Sequence, residues 1–168
     1  SKVKAWEYFN EKKILKEARK LDKKKKILKT IGPLYGIPIA LKDIVSTSDM
    51  PTKFGTRIKL KDYKKLDAQI VKILKQAGAI IMGKTVTCEL AFLSPSITKN
   101  PIDLSRTPGG SSSGSAAVIA AKMAPLSIGT QTGGSVIRPA SFCGVVGYKP
   151  SYGLISTNGI LKTSYHLD

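Results

Sequence analysis

The chain has 168 residues, enough for one domain with a real core and short for two. Its 42% hydrophobic and 23% charged content is ordinary for a globular domain, and no apolar run approaches the roughly 18 residues that a membrane span needs. The 28 Lys and Arg against 11 Asp and Glu give a net charge of +17, which raises the prospect of a polyanionic partner. Most of the excess is lysine in 2–29 and 53–75, where helix faces and loops solvate it, and no basic–aromatic interleaving suited to stacking bases accompanies it. One histidine and two widely separated cysteines, Cys88 and Cys143, offer no zinc spacing. The N-terminus lacks the apolar core of a secretory signal, so a cytoplasmic protein with reduced thiols is expected.

Taken in chain order, residues 1–29 read as helix, with Ile14, Leu15, Ala18 and Leu21 at three- and four-residue spacing. Gly32, Pro33 and Gly36 break that pattern. The apolar, β-branched run 37–45 (IPIALKDIV) predicts a buried strand with Lys42 inside it. An irregular connection over 46–63 leads to a helix over 66–77, stopped by Gly78, and then a strand over 79–82. A small-residue loop over 109–115 opens an Ala-rich helix over 115–124; a strand follows over 126–130, then a Gly-Gly turn over 132–135. From Phe142 onward the chain is rich in turns. Strands alternating with helices predict an α/β layered fold, with a helical segment over 1–29 and the core over 30–168.

Three patterns carry chemistry. Gly78–Thr85 (GAIIMGKT) fits the letters of a phosphate-binding P-loop, but a helix precedes it and its middle is apolar, so a helix stop and buried strand is the better reading. Gly110–Gly114 (GSSSG) fits a nucleophile elbow centred on Ser112, whose histidine base could come only from His166. The third pattern joins Lys42, the serines of PGGSSSGSAA and Ser135 in TQTGGSV. A serine nucleophile needs a base, and a lysine serves only if burial lowers its pKa from about 10.4. The plain alternative is that Lys42 pairs with Asp43 or reaches solvent. The two glycines of 132–135 let backbone N–H groups converge as an oxyanion hole, or form an ordinary turn.

Five segments in order, GPLYGIPIALKDI, GAIIMGKT, PGGSSSGSAA, GTQTGGSV and RPASFCGVVGYKPSYGLIS, resemble the amidase signature family over nearly the whole chain. The resemblance implies a mixed β-sheet flanked by helices, of which this chain holds the first half. It implies a Ser–cis-Ser–Lys triad: Ser135 as nucleophile, Ser111 as the bridging serine on a non-proline cis peptide, and Lys42 as base. Amides around Thr132, Gly133 and Gly134 would form the oxyanion hole. Within the family the flanking text, NPIDLSRTPGGSS and ASFCGVVGYKPSYG, is most similar to the A subunits of glutamyl-tRNA(Gln) amidotransferases. That likeness implies glutamine hydrolysis, with ammonia passed to a B subunit that amidates glutamyl-tRNA using ATP and magnesium, and a small C subunit completing the complex. No cofactor is expected in this chain, and tRNA is met only through the partner. The alternatives are a small-amide amidase of the same family and a truncated, non-catalytic relative kept as a binding piece.

The chain departs from the family pattern at identifiable places. Gln131 stands where aspartate is usual, and Ile137 where arginine is usual, with Arg138 one position later. Ser113 replaces a common glycine, and Leu154 stands where the A subunits usually have arginine. Two of these four changes, at Gln131 and Ile137, flank the turn expected to hold the nucleophile.

Overall fold

The computed structural model describes residues 2–27, 30–58 and 66–168. The end of the expected first helix (28–29) and the last part of the 46–63 connection lie outside the described residues. Among the described residues four strands form one sheet: β1 (Trp6–Phe9), β2 (Pro38–Lys42), β3 (Ile80–Thr85) and β4 (Leu126–Ile128), in the spatial order β1-β3-β2-β4. β2 runs parallel to β3 and to β4, while β1 pairs antiparallel with β3. Among the described residues four α-helices accompany them, α1 (Glu11–Lys25), α2 (Gln69–Gln76), α3 (Ser113–Ala120) and α4 (Ile137–Phe142), with a short 3-10 helix at Glu89–Ala91. The mixed sheet with flanking helices is the α/β class that the alternating pattern predicts.

The N-terminus corrects the expectation of helix over 1–29. Trp6–Phe9 is a strand, and the helix begins only at Glu11, where the Asn10 side chain accepts from the Lys13 N–H at 3.0 Å. Aromatic side chains suit a half-buried edge strand, and the partner that makes them one, β3, lies far away in sequence. The other boundaries move less. α2 spans only Gln69–Gln76, and α3 starts two residues early and stops at Ala120, with Lys122 at φ 56° in a turn. α4 falls in a stretch for which the sequence pattern predicts no element.

Period-two alternation on β2 sorts the core into two layers. Ile39 and Leu41 pack with Val71 and Leu74 of α2 on one face. Ala40 packs with Ala117 and Val118 of α3 on the other, and Lys42 follows Ala40 onto that face. Small residues let α3 lie directly on the sheet: a Cβ at Gly114 would meet Ala5 O at 2.4 Å and Val86 N at 2.5 Å. The helix therefore brings the serine loop at its start against the end of β2. Among the described residues no helix is long and apolar enough to cross a membrane.

Candidate active site

Lys42 ends β2 fully buried. Its Nζ donates to Ser111 Oγ at 2.8 Å and to Thr130 Oγ1 at 2.8 Å. Both partners are hydroxyls. Burial lowers its pKa from 10.5 to about 7, opposed only in part by Cys88 and Asp168. The alternative partner, Asp43, points elsewhere: it accepts from Lys53 N at 3.1 Å, and Lys84 is its cationic neighbour. Lys42 thus neither pairs with Asp43 nor reaches solvent.

Ser111 follows the cis peptide bond Gly110–Ser111. Its carbonyl accepts from Cys88 N at 3.1 Å and from Thr87 Oγ1 at 3.2 Å, which pins the loop to the segment after β3. No Cβ fits at Gly110, where it would stand 2.6 Å from Cys88 Sγ. The middle serine is committed differently. Ser112 Oγ donates to Thr130 O at 3.1 Å and accepts from Thr130 N at 3.2 Å, while His166 is exposed near the chain end. This arrangement runs against the elbow reading of Ser112.

The loop and the Gly-Gly turn meet through Ser135, whose carbonyl accepts from Ser112 N at 3.2 Å. The Ser135 hydroxyl makes no hydrogen bond to Ser111 among the described residues, so the structure joins Lys42 to Ser111 directly and Ser135 to the serine loop through backbone. Gly133 and Gly134 are exposed, and open space surrounds Gly133. Among the described residues the N–H groups of Thr132, Gly133, Gly134 and Ser135 meet no acceptor. Thr132 Oγ1 is tied to Asp168, whose carboxylate also accepts from Ser164 N at 2.8 Å.

The departures at Gln131 and Ile137, in the turn that carries Ser135, have structural counterparts. Gln131 Oε1 accepts from both Val136 N and Ile137 N at 2.9 Å, holding the start of α4 against the turn. Arg138 donates from Nε to Gly110 O at 3.1 Å, just before Ser111. Sequence reasoning does not single out Thr130 or Cys88. Thr130 lies in view in the GTQTGGSV text, one residue before Gln131; the Cys88 contact is through backbone and leaves no signature in residue type.

The P-loop letters take a different form. Residues 80–85 are β3, and Lys84 is buried, donating to Val45 O and, at 2.7 Å, to Thr52 Oγ1. A cavity of about 850 Å³ lies between the 47–58 and 94–97 segments, lined by Glu7, Met50, Lys53 and Arg57 among others, but by none of Lys42, Ser111 and Ser135. Converging donors and hydroxyls, rather than the size of a hollow, mark the candidate site.

Residues 1–168 match the family model described as Amidase, and the chain belongs to that family. Among its relatives, a glutamyl-tRNA(Gln) amidotransferase A subunit of Clostridium acetobutylicum is 48% identical, the match covering 92% of this chain and 34% of the relative. The corresponding A subunit of Alkaliphilus metalliredigens is 46% identical over 99% of this chain and 35% of its own length. Among solved structures, the native peptide amidase from Stenotrophomonas maltophilia superimposes with a TM-score of 0.89 at 39% identity, over 96% of this chain and 35% of that one. The glutamyl-tRNA(Gln) amidotransferase A subunit of Thermotoga maritima gives 0.77 at 40% identity, over 95% and 34%. The chain spans about a third of the length of the curated relatives it matches.

Proposed function

We propose that this chain carries the nucleophilic machinery of an amide hydrolase, with Ser135 as nucleophile, Ser111 as proton relay and Lys42 as base. The observation that carries this reading is a dry lysine bonded to Ser111 and to no carboxylate. With a pKa near 7, a large share of Lys42 is neutral at neutral pH and able to accept a proton. Ser135 Oγ attacks the amide carbonyl carbon. Its proton passes to Ser111 Oγ as the proton of Ser111 passes to Lys42 Nζ. The oxyanion is received by the unpaired amides of 132–135. The C–N bond then breaks, and the leaving nitrogen takes the proton back along the same path. Water attacks the resulting acyl-Ser135 ester, its proton following the same relay, and the acid product leaves.

The names of the amidotransferase relatives support glutamine as the amide, with ammonia delivered to a partner B subunit in a complex completed by a C subunit. ATP and magnesium would act on that partner, and Glu-tRNA(Gln) would be converted to Gln-tRNA(Gln) there. A second reading, hydrolysis of other amides, is favoured by the higher TM-score to the peptide amidase. Ammonia release from glutamine and from neutral small amides, with and without B and C partners, separates the two. Ser135→Ala should reduce release by about 10⁴-fold or more. Equal release from the parent chain and this variant would sink the catalytic reading.

A further inference from the structure

We propose that the outward face of α1 binds the phosphate backbone of transfer RNA directly. The choice of RNA rests on the amidotransferase reading, which brings glutamyl-tRNA to the complex, and it gives this chain a contact that the family likeness leaves to the partner. Lys12, Lys16, Arg19, Lys20 and Lys23 are all exposed on α1, and they alone line an open groove of about 420 Å³. At 3.6 residues per turn they fall within an arc of about 100° and run about 16 Å along the axis. Glu11, Glu17 and Asp22, the acidic residues of the helix, lie outside that arc. Among the described residues only Lys20 of these cations has an ion pair, with Glu17 at 3.0 Å, and both side chains are well exposed.

The stripe does not serve the helix. Lys12–Lys16, Lys16–Lys20 and Arg19–Lys23 are like-charge pairs at i,i+4, each of which weakens a helix. The helix dipole favours cations in the last turn, which accounts for Lys23, Lys24 and Lys25, but it opposes Lys12 in the first. The opposite face fixes α1 to the body: Ile14, Ala18 and Leu21 are half-buried, Tyr35 Oη donates to Leu21 O at 2.7 Å, and Lys13 pairs with Asp49 at 2.7 Å. That apolar side is taken, and the stripe offers a bilayer nothing to bury. It also presents lysine, in which protein interfaces are poor, and no aromatic side chain, in which they are rich. Closely spaced phosphates on a stiff duplex match a stiff row of cations, and their charge relieves its self-repulsion.

The test is fluorescence anisotropy of a labelled tRNA(Gln) transcript titrated with the full chain at about 50 to 200 mM salt. If all five cations of the stripe meet phosphates, the logarithm of affinity should fall against the logarithm of salt with a slope of about −4.5. Joint Lys12→Gln, Lys16→Gln and Lys20→Gln substitution should weaken binding about tenfold or more and reduce the slope to about −2, with thermal stability unchanged or raised. Arginine at the same three positions should bind as the parent does. Joint Lys99→Gln, Lys122→Gln and Lys162→Gln substitution removes as much charge from exposed sites on other segments, and should change affinity by less than about twofold. No binding of tRNA, equal losses in the two glutamine triples, or stripe-dependent capture by phosphatidylserine vesicles as strong as that of tRNA would each overturn the proposal. Ammonia release from glutamine with the B and C partners reports separately. Release without α1-dependent tRNA binding removes this contact alone; α1-dependent tRNA binding without release removes the amidotransferase reading and leaves the RNA surface standing.

Discussion

Two buried lysines stand on neighbouring strands and leave opposite faces of the sheet. The β2–β3 register pairs Leu41 with Lys84 and Lys42 with Thr85, so Lys84 lies on the Leu41 face and Lys42 on the other. Burial lowers both pKa values, to about 7 for Lys42 and about 8 for Lys84. What differs is the company. Lys84 has a carboxylate neighbour, Asp43, itself raised to about 6 by burial, and it ties the carbonyl of Val45 to the 52 loop. Lys42 has hydroxyls, one of them on the serine loop. A buried cation facing a buried anion is a structural tie, while a buried amine facing serines can trade protons. Dryness alone does not make a lysine a base.

The sharpest way to break this contrast is to exchange each lysine for methionine. Lys42→Met should lower ammonia release by about 10²–10⁴-fold while the folded chain persists, read by steady-state kinetics and circular dichroism. In the parent chain, activity should rise with pH through about 7, as Lys42 loses its proton. The stability effect has the same origin. Between about pH 7 and 10.5 the unfolded chain holds a proton on Lys42 that the folded chain has shed, so stability climbs with pH across that window and gains nothing from this group below it. Lys42→Met should flatten the climb in denaturant titrations run from pH 8 to 10.

Lys84→Met should act on stability instead. It removes the donor to Val45 O and Thr52 Oγ1 together with the positive charge that opposes the rise in the Asp43 pKa, and is expected to cost about 1–3 kcal/mol by urea unfolding. Adding Asp43→Asn should recover much of that loss; a double variant no more stable than the single one would break the pairing. Gly114→Ala sharpens the Lys42 side, because its methyl would collide with the backbone at Ala5 and Val86. A loss of about 1–3 kcal/mol is expected, with the serine loop displaced from Lys42 and activity falling more than stability. The smallest effect should come from Gln131→Ala, which frees two N–H groups at the start of α4 at a cost of about 1–2 kcal/mol in thermal melts.

The two sides are not equally legible in the sequence. A lysine inside an apolar, β-branched run announces a buried amine, and the run 37–45 contains β2 with Lys42 at its end. The serine loop and the Gly-Gly turn become legible only together with Lys42 and the flanking text, because an ordinary turn explains TGGS alone. Lys84 is hidden inside the letters of a P-loop, and its strand context argues only against that reading. β1 escapes the pattern because a four-residue strand carries too little periodicity to compete with the helix that follows it. Its identity depends on pairing with β3, a contact no local pattern encodes. The roles of Thr130 and of the Cys88 backbone also arise only once distant segments meet.

The packing of α3 onto the sheet has a further consequence. On the proposed mechanism Lys42 can accept a proton because burial keeps water from it, and among the described residues it is hydrogen-bonded to hydroxyls rather than to a carboxylate. A loosened chain, with α3 lifted and the layer around Ala40 wetted, would return that amine to its ordinary charged form. Such a chain would be chemically silent before it was fully unfolded. If the proposed mechanism holds, reactivity is a readout of tight packing, and an incompletely folded copy carries the same serines without the means to use them.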